Sequence, residues 1–153
     1  MKRHPALEPF SRDHNTGLVL ARNLQLGREY AVEELREAWE RELRDHFDEE
    51  ERLLGPLLTP EMRSQLVREH QMIATAIAEL PGGSMELGNC LHDHIRWEER
   101  AMFPAIERTA TEAQLHGLAQ DTAALEARRW EHDIQRSRLV QKRIDKANTI
   151  PHE

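Results

Sequence analysis

Residues 28–54 contain neither glycine nor proline, and this breaker-free run constrains the fold more than any other feature of the chain. At about 1.5 Å per residue it predicts a helix of roughly 40 Å. Gly27 precedes it and Gly55-Pro56 stops it. Before it, Ser11 is suited to cap a first helix that runs to about Leu26 with only Gly17 as an interruption. After it, Leu58-Thr59-Pro60-Glu61 reads as a new start, with Thr59 at the N-cap, Pro60 at the first helical position and the helix reaching about Leu80. Pro81-Gly82-Gly83-Ser84 is a turn ending in an N-cap, and a fourth helix follows to Phe103, kinking through Pro104 to Glu107. Short connections between four such helices predict an all-α, up-down-up-down four-helix bundle over residues 1–110. Thr111 with Gln114 resembles a capping box and opens a fifth helical segment toward Ala147. Residues 111–153 are therefore read as a C-terminal helical extension of the same domain, packing on the bundle or on a partner.

Composition agrees with this layout. The 153 residues are 32% charged and 5% aromatic, an alphabet rich in helix formers and sized for one domain. A net charge of −7 argues against nucleic acid as the main partner. The charge is uneven: residues 126–146 carry about +3 and the rest about −10. In the fifth segment Leu115, Leu118, Thr122 and Leu125 form a short apolar stripe, but beyond Trp130 only Ile134, Leu139, Val140 and Ile144 remain, with poor periodicity. Its start is expected to pack on the bundle, and its end to be exposed or to pair with a second subunit as a homodimer. A single cysteine, Cys90, excludes an internal disulfide and suits a reducing, cytoplasmic setting. On the apolar stripe of helix four it reads as a buried small hydrophobe. Met1-Lys2-Arg3 runs into Pro5, Glu8 and Pro9 rather than an apolar stretch, so neither a signal peptide nor a membrane span is expected. No internal repeat at a solenoid period and no low-complexity segment is evident.

The chemistry lies in what the apolar stripes contain. At 100° per residue, Val32, Leu35, Trp39, Leu43 and Leu53 share one face of helix two, and His46 and Glu50 fall within it. Leu87, Cys90, Leu91, Ala101 and Ala105 share a face of helix four, and His94 and Glu98 fall within that. Helix three sets Leu66, Val67, Ile73, Ala74 and Ile77 around His70, and helix one sets Leu18 and Ala21 beside His14. Each helix thus turns one imidazole inward, and two add a carboxylate one turn later. Buried ionisable groups are costly unless something satisfies them, and a metal ion does so directly. Imidazole and carboxylate without thiolate suit iron, manganese or zinc, and a second carboxylate allows a bridged pair of metals. One inward histidine is more often a hydrogen-bonded core residue than a ligand; four with two carboxylates are not explained that way. His4 and Glu8 match the spacing but lie among Pro5 and Pro9, and His92 points away from His94, so neither joins the set. His116, His132 and His152 have no carboxylate one turn on. Trp39 and Trp97 are read as packing residues that exclude water.

In these residues the chain resembles the hemerythrin-like family, the HHE cation-binding domain. The matching pieces are Ser11-Arg12-Asp13-His14, His46-Phe47-Asp48-Glu49-Glu50-Glu51, Arg68-Glu69-His70 and the run from His94 to Pro104. The resemblance implies a di-iron centre in which His14 and His46 bind one iron and His70 and His94 the other. Glu50 and Glu98 would bridge beside a solvent-derived oxo or hydroxo group. It further implies binding of dioxygen or nitric oxide, or of iron itself, with zinc or manganese able to occupy the same ligands in isolated protein. Oxygen-carrying hemerythrins have a further histidine one turn after the helix-three ligand, where this chain has Ala74. Four histidines leave coordination positions open on both irons, so a di-iron oxidase, a peroxidase or an iron–sulfur cluster repair factor stands as the alternative to a binding protein. A structural helical module without metal is the third reading.

Overall fold

The computed structural model describes residues 2–148, with the side chains of 130–137, 140 and 148 outside that description. Expectations resting on Trp130, His132, Ile134, Val140 and His152 lie outside the described residues. The chain is all-α, and no strand occurs among the described residues. Helix α1 is Glu8–Gln25. Helix α2 spans 31–54 and is built from Ala31–Ala38, Trp39–Leu43, Arg44–Glu49 and Glu50–Leu54, ending in a 3-10 turn at Gly55–Leu57. Helix α3 is Pro60–Ala78. Helix α4 spans 84–109 through Ser84–Trp97, Glu98–Met102 and Phe103–Thr109, and α5 is Glu112–Asn148. Each of α1 to α4 packs on the next and α4 closes back on α1, which makes the four-helix bundle.

Two sequence expectations about helix starts are corrected. Ser11 is not the N-cap of α1: the helix begins a turn earlier, after Leu7, because burying Ala6, Leu7 and Phe10 orders the chain there and Pro9 is tolerated in a first turn. The Ser11 hydroxyl instead donates to Glu99 Oε1 at 2.6 Å. Ser84 is likewise the first residue of α4 rather than its cap, since Gly83 takes the left-handed backbone (φ 72°) that reverses the chain. Helix α2 begins at Ala31, three residues into the breaker-free run, while α3 and α5 start where the sequence places them. Met62 N–H donates to Thr59 Oγ1, and Thr111 and Gln114 exchange both bonds of a capping box.

A third correction concerns register. Helices α2 and α4 contain π-helical turns at Trp39–Leu43, Glu50–Leu54 and Glu98–Met102, each closed by a bond from the amide five residues on. Such a turn holds one extra residue, so the buried face shifts by one position. Leu54 rather than Leu53 is buried, and Met102, Phe103 and Ile106 are buried where Ala101 and Ala105 were expected. Cys90 is exposed. The inward face of α4 is centred on Leu87, Leu91, Ile95 and Glu98 and leans toward α1, where Gly88 allows close approach, leaving Cys90 beyond its edge.

The apolar interior is in two parts. One gathers Leu24, Leu35, Ile77, Leu87 and their neighbours from the end of α1, the start of α2, the end of α3 and the start of α4. The other gathers Leu7, Phe10, Leu54, Leu66, Phe103 and Ile106 at the opposite end, joined by Leu115 and Leu118 of α5. The alternating direction of the four helices gives this division, and the buried histidines and glutamates lie between the two parts. Further along α5, Leu139 and Ile144 are exposed. No helix among the described residues is long and apolar enough to cross a membrane.

Candidate metal centre

All six residues singled out in the sequence meet in the layer between the two apolar clusters, and none is more than 5% exposed. Their ligand atoms form two overlapping groups, His14, His46, Glu50 and Glu98, and His70, His94 with the same two glutamates. Within each group the atoms lie within 4.8 Å of one another, a spacing that can hold a metal ion. Every imidazole turns Nε2 to the centre. His14 Nε2 is 3.0 Å from Glu98 and 3.8 Å from Glu50, and His46 Nε2 is 3.3 Å from Glu50. His70 Nε2 is 3.3 Å from Glu50 and 3.7 Å from Glu98, and His94 Nε2 is 2.5 Å from Glu98. These approaches lack hydrogen-bond direction: both oxygens of Glu50, both of Glu98, and Nε2 of His70 and His94 are buried with no hydrogen-bond partner. Each such atom costs on the order of 1–3 kcal/mol, more when charged, unless a cation or proton satisfies it. Nitrogen and oxygen donors without sulfur fit a first-row metal, and the unpartnered atoms supply the places for it.

The other ring nitrogen of each histidine meets an outer carboxylate that the sequence reading missed. His46 Nδ1 pairs with Asp13 Oδ2 at 3.0 Å, His70 with Glu51 at 2.9 Å, His94 with Glu69 at 2.9 Å and His14 with Glu99 at 2.8 Å. Each carboxylate thus supports the imidazole of another helix, and the four links close a ring around the bundle. The contact keeps the Nδ1 proton on the carboxylate side, so that the neutral ring presents the Nε2 lone pair to the centre. Ring stacking fixes orientation further, His70 against Phe47 at 4.0 Å and His14 against Phe103 at 5.5 Å. A signal was present: Asp13, Glu51, Glu69 and Glu99 are each the chain neighbour of an inward residue. Their order also repeats, acid-His on the first helix of each hairpin and His-x-x-x-Glu-Glu on the second. Proline follows the inner glutamate by six residues in both, as Pro56 and Pro104. A proline ring clashes with the carbonyl four residues back, and the π turns starting at Glu50 and Glu98 widen the helix where Arg52 and Arg100 would present it.

Electrostatics couples the groups tightly. Burial, the largest single influence on each imidazole, lowers its pKa, but the surrounding carboxylates together outweigh it. Glu50, Glu98 and Glu99 raise His14 to about 12, and Glu50 with Asp13 raises His46 to about 10. His70 rises to about 10 beside Glu50 and Glu98, and His94 to about 9 beside Glu98 and Glu69. Glu50 and Glu98 are held below the ordinary carboxylate range by the imidazoles despite burial. Glu99 falls to about 2 against its own burial, through His14, Ser11 and Arg3. These shifts favour charged imidazoles beside the two carboxylates, and a metal cation held there would take the place of the Nε2 protons.

The excluded histidines stay outside. His4 accepts from Ala6 N–H in the N-terminal turn, His92 pairs with Asp93, and His116 is exposed beside Gln120. Trp39 and Trp97 pack on the two apolar clusters. Compared with known proteins, the chain matches no family model, no curated protein and no solved structure.

Proposed function

We propose that this chain is a non-haem di-iron protein of the hemerythrin-like kind. It would bind dioxygen, nitric oxide or iron itself, for sensing, storage or stress protection in a reducing, cytoplasmic setting. The observation that carries the reading is the pair of buried histidine groups sharing Glu50 and Glu98, whose four oxygens have no hydrogen-bond partner. His14 and His46 would hold one iron, His70 and His94 the other, and the two glutamates both. When bound, the iron pair supplies open coordination positions and one-electron redox chemistry. The chain's own part is to keep each Nε2 lone pair directed inward through the outer carboxylates and to exclude water with apolar walls.

A cavity beside the centre favours a small ligand. It is lined by Gly17, Leu43, Phe47, Leu91 and Ile95 together with every inward residue but His70, and its volume of about 10 Å³ is that of a single water site. An organic substrate does not fit in that cavity. Peroxide differs little in size from dioxygen, so a di-iron peroxidase is the second reading. The unpartnered oxygens weigh against a structural module without metal.

Anaerobic loading with ferrous iron followed by metal analysis is expected to give two iron atoms per chain; none at all would overturn the proposal. Optical spectra then separate the two readings. A reversible change with dioxygen or nitric oxide supports a binding protein, and sustained turnover of peroxide with a reductant supports the enzyme. The double variant Glu50→Ala, Glu98→Ala is expected to bind no iron, and unchanged loading would refute the role of the glutamates.

A further inference from the structure

The two halves of the centre differ in what stands behind their outer carboxylates. Behind His46, Asp13 Oδ2 also accepts from Arg129 Nη1 of α5 at 3.0 Å, and the same guanidinium donates to Glu49 through Nη2. Behind His14, Glu99 accepts from Arg3 of the N-terminal segment at 2.8 Å, and Arg3 also reaches Glu107. Both imidazoles of this half are therefore steadied by arginines from outside the four-helix bundle. Behind His94, Glu69 is held by Gln65 of its own helix, and behind His70, Glu51 meets no arginine or lysine among the described residues.

Arg129 closes the stretch of α5 whose described side chains meet the bundle. Leu115, Leu118 and Thr122 are buried in the first turns of α5, Arg12 pairs with Glu126, and past Arg129 the described side chains 138, 139 and 141–147 are exposed. A guanidinium forked between Asp13 on α1 and Glu49 on α2 holds three helices in one geometry.

We propose that Arg129 is a positioning residue that couples docking of α5 to metal binding by His14 and His46, making α5 a latch on one of the two metal positions. The proposal rests on the metal-binding reading above. Undocking α5 releases Asp13 from Arg129, and Asp13 is then free to leave the position that orients His46. The half built from His70 and His94 has no such tie. Coupling of this kind is reciprocal: metal held by His14 and His46 tightens α5 by the factor that docked α5 tightens the metal.

The test measures stepwise ferrous iron affinity and amide hydrogen exchange of α5 in the full chain, with and without iron. Loss of a residue that orients a metal-binding histidine weakens metal affinity about 10–100-fold, and Arg129, acting through Asp13, is expected to fall near the lower end. Arg129→Gln should weaken one of the two binding steps by about tenfold and leave the other unchanged, with Arg129→Lys recovering part of the loss. In the unaltered chain, iron loading should slow exchange over residues 115–129, and in Arg129→Gln it should not. Equal weakening of both steps, or unchanged affinities, overturns the latch. So does α5 exchange that ignores iron in the unaltered chain, a measurement needing no substitution. An unaltered chain that binds no iron instead overturns the function proposed above.

Discussion

At the scale of single residues, the centre depends on ten side chains: Glu50, Glu98 and four imidazoles each paired with an outer carboxylate. The imidazoles, with Glu50 and Glu98, were legible because charge inside an apolar stripe has no ordinary explanation. The outer carboxylates were not, because they sit at the stripe edges. Asp13, Glu51, Glu69 and Glu99 keep 20–38% of their side-chain surface exposed, and an acid there reads as a solvent-facing charge. Glu69→Gln tests their role: the amide still fits beside His94 but no longer carries the charge that steadies the Nδ1 proton. Metal affinity is expected to fall about 10–100-fold by chelator competition, with the helical circular-dichroism signal unchanged. Cys90 shows the opposite error, since a small apolar residue near the stripe was read as buried and proves exposed.

At the scale of elements, helix existence, order and most breaks followed from glycine, proline and capping residues, whereas register did not. A fixed 3.6-residue period cannot anticipate a π turn, and the turns at Glu50–Leu54 and Glu98–Met102 move the buried face along the chain, from Leu53 to Leu54 and from Ala105 to Ile106. Close approach of α1 and α4 was equally hidden. A Cβ at Gly88 would lie 2.9 Å from the Ala21 carbonyl oxygen, which is backbone and cannot step aside. Gly88→Ala is therefore expected to destabilise the metal-free protein by about 1–3 kcal/mol, read from the urea midpoint. At Gly17 the added Cβ meets only the end of Ile95, a side chain that can turn, and alanine gains about 1 kcal/mol in helix propensity. Gly17→Ala is expected to move the same midpoint less than Gly88→Ala, and the reverse order would contradict this account of the α1–α4 contact.

For the molecule as a whole, the centre sets how stability responds to pH. An imidazole whose pKa is raised on folding contributes stability that is complete below about 6.5 and is lost as pH climbs through the folded values, from about 9 at His94 to about 12 at His14. The carboxylates, lowered on folding, contribute above their ordinary range and lose that contribution in acid, with Glu99 protonating near 2. Metal-free protein is thus expected to lose stability as pH rises from 6 to 9. Metal binding needs the imidazoles deprotonated, so the melting-temperature gap between iron-loaded and metal-free protein should widen over the same interval. A gap that narrows would contradict the proton-for-metal exchange. The fifth helix was legible as a helix, but its grip on the centre was not, because Arg129 acts across the fold on Asp13, 116 positions away, and on Glu49, 80 away. The duplicated order of the two hairpins has a consequence of its own. Each hairpin brings two imidazoles, one inner carboxylate and two outer ones, so the centre possesses an approximate dyad between Glu50 and Glu98. One hairpin paired with a copy of itself would supply the whole donor set, and Arg3 and Arg129, which the dyad does not repeat, set the two halves apart.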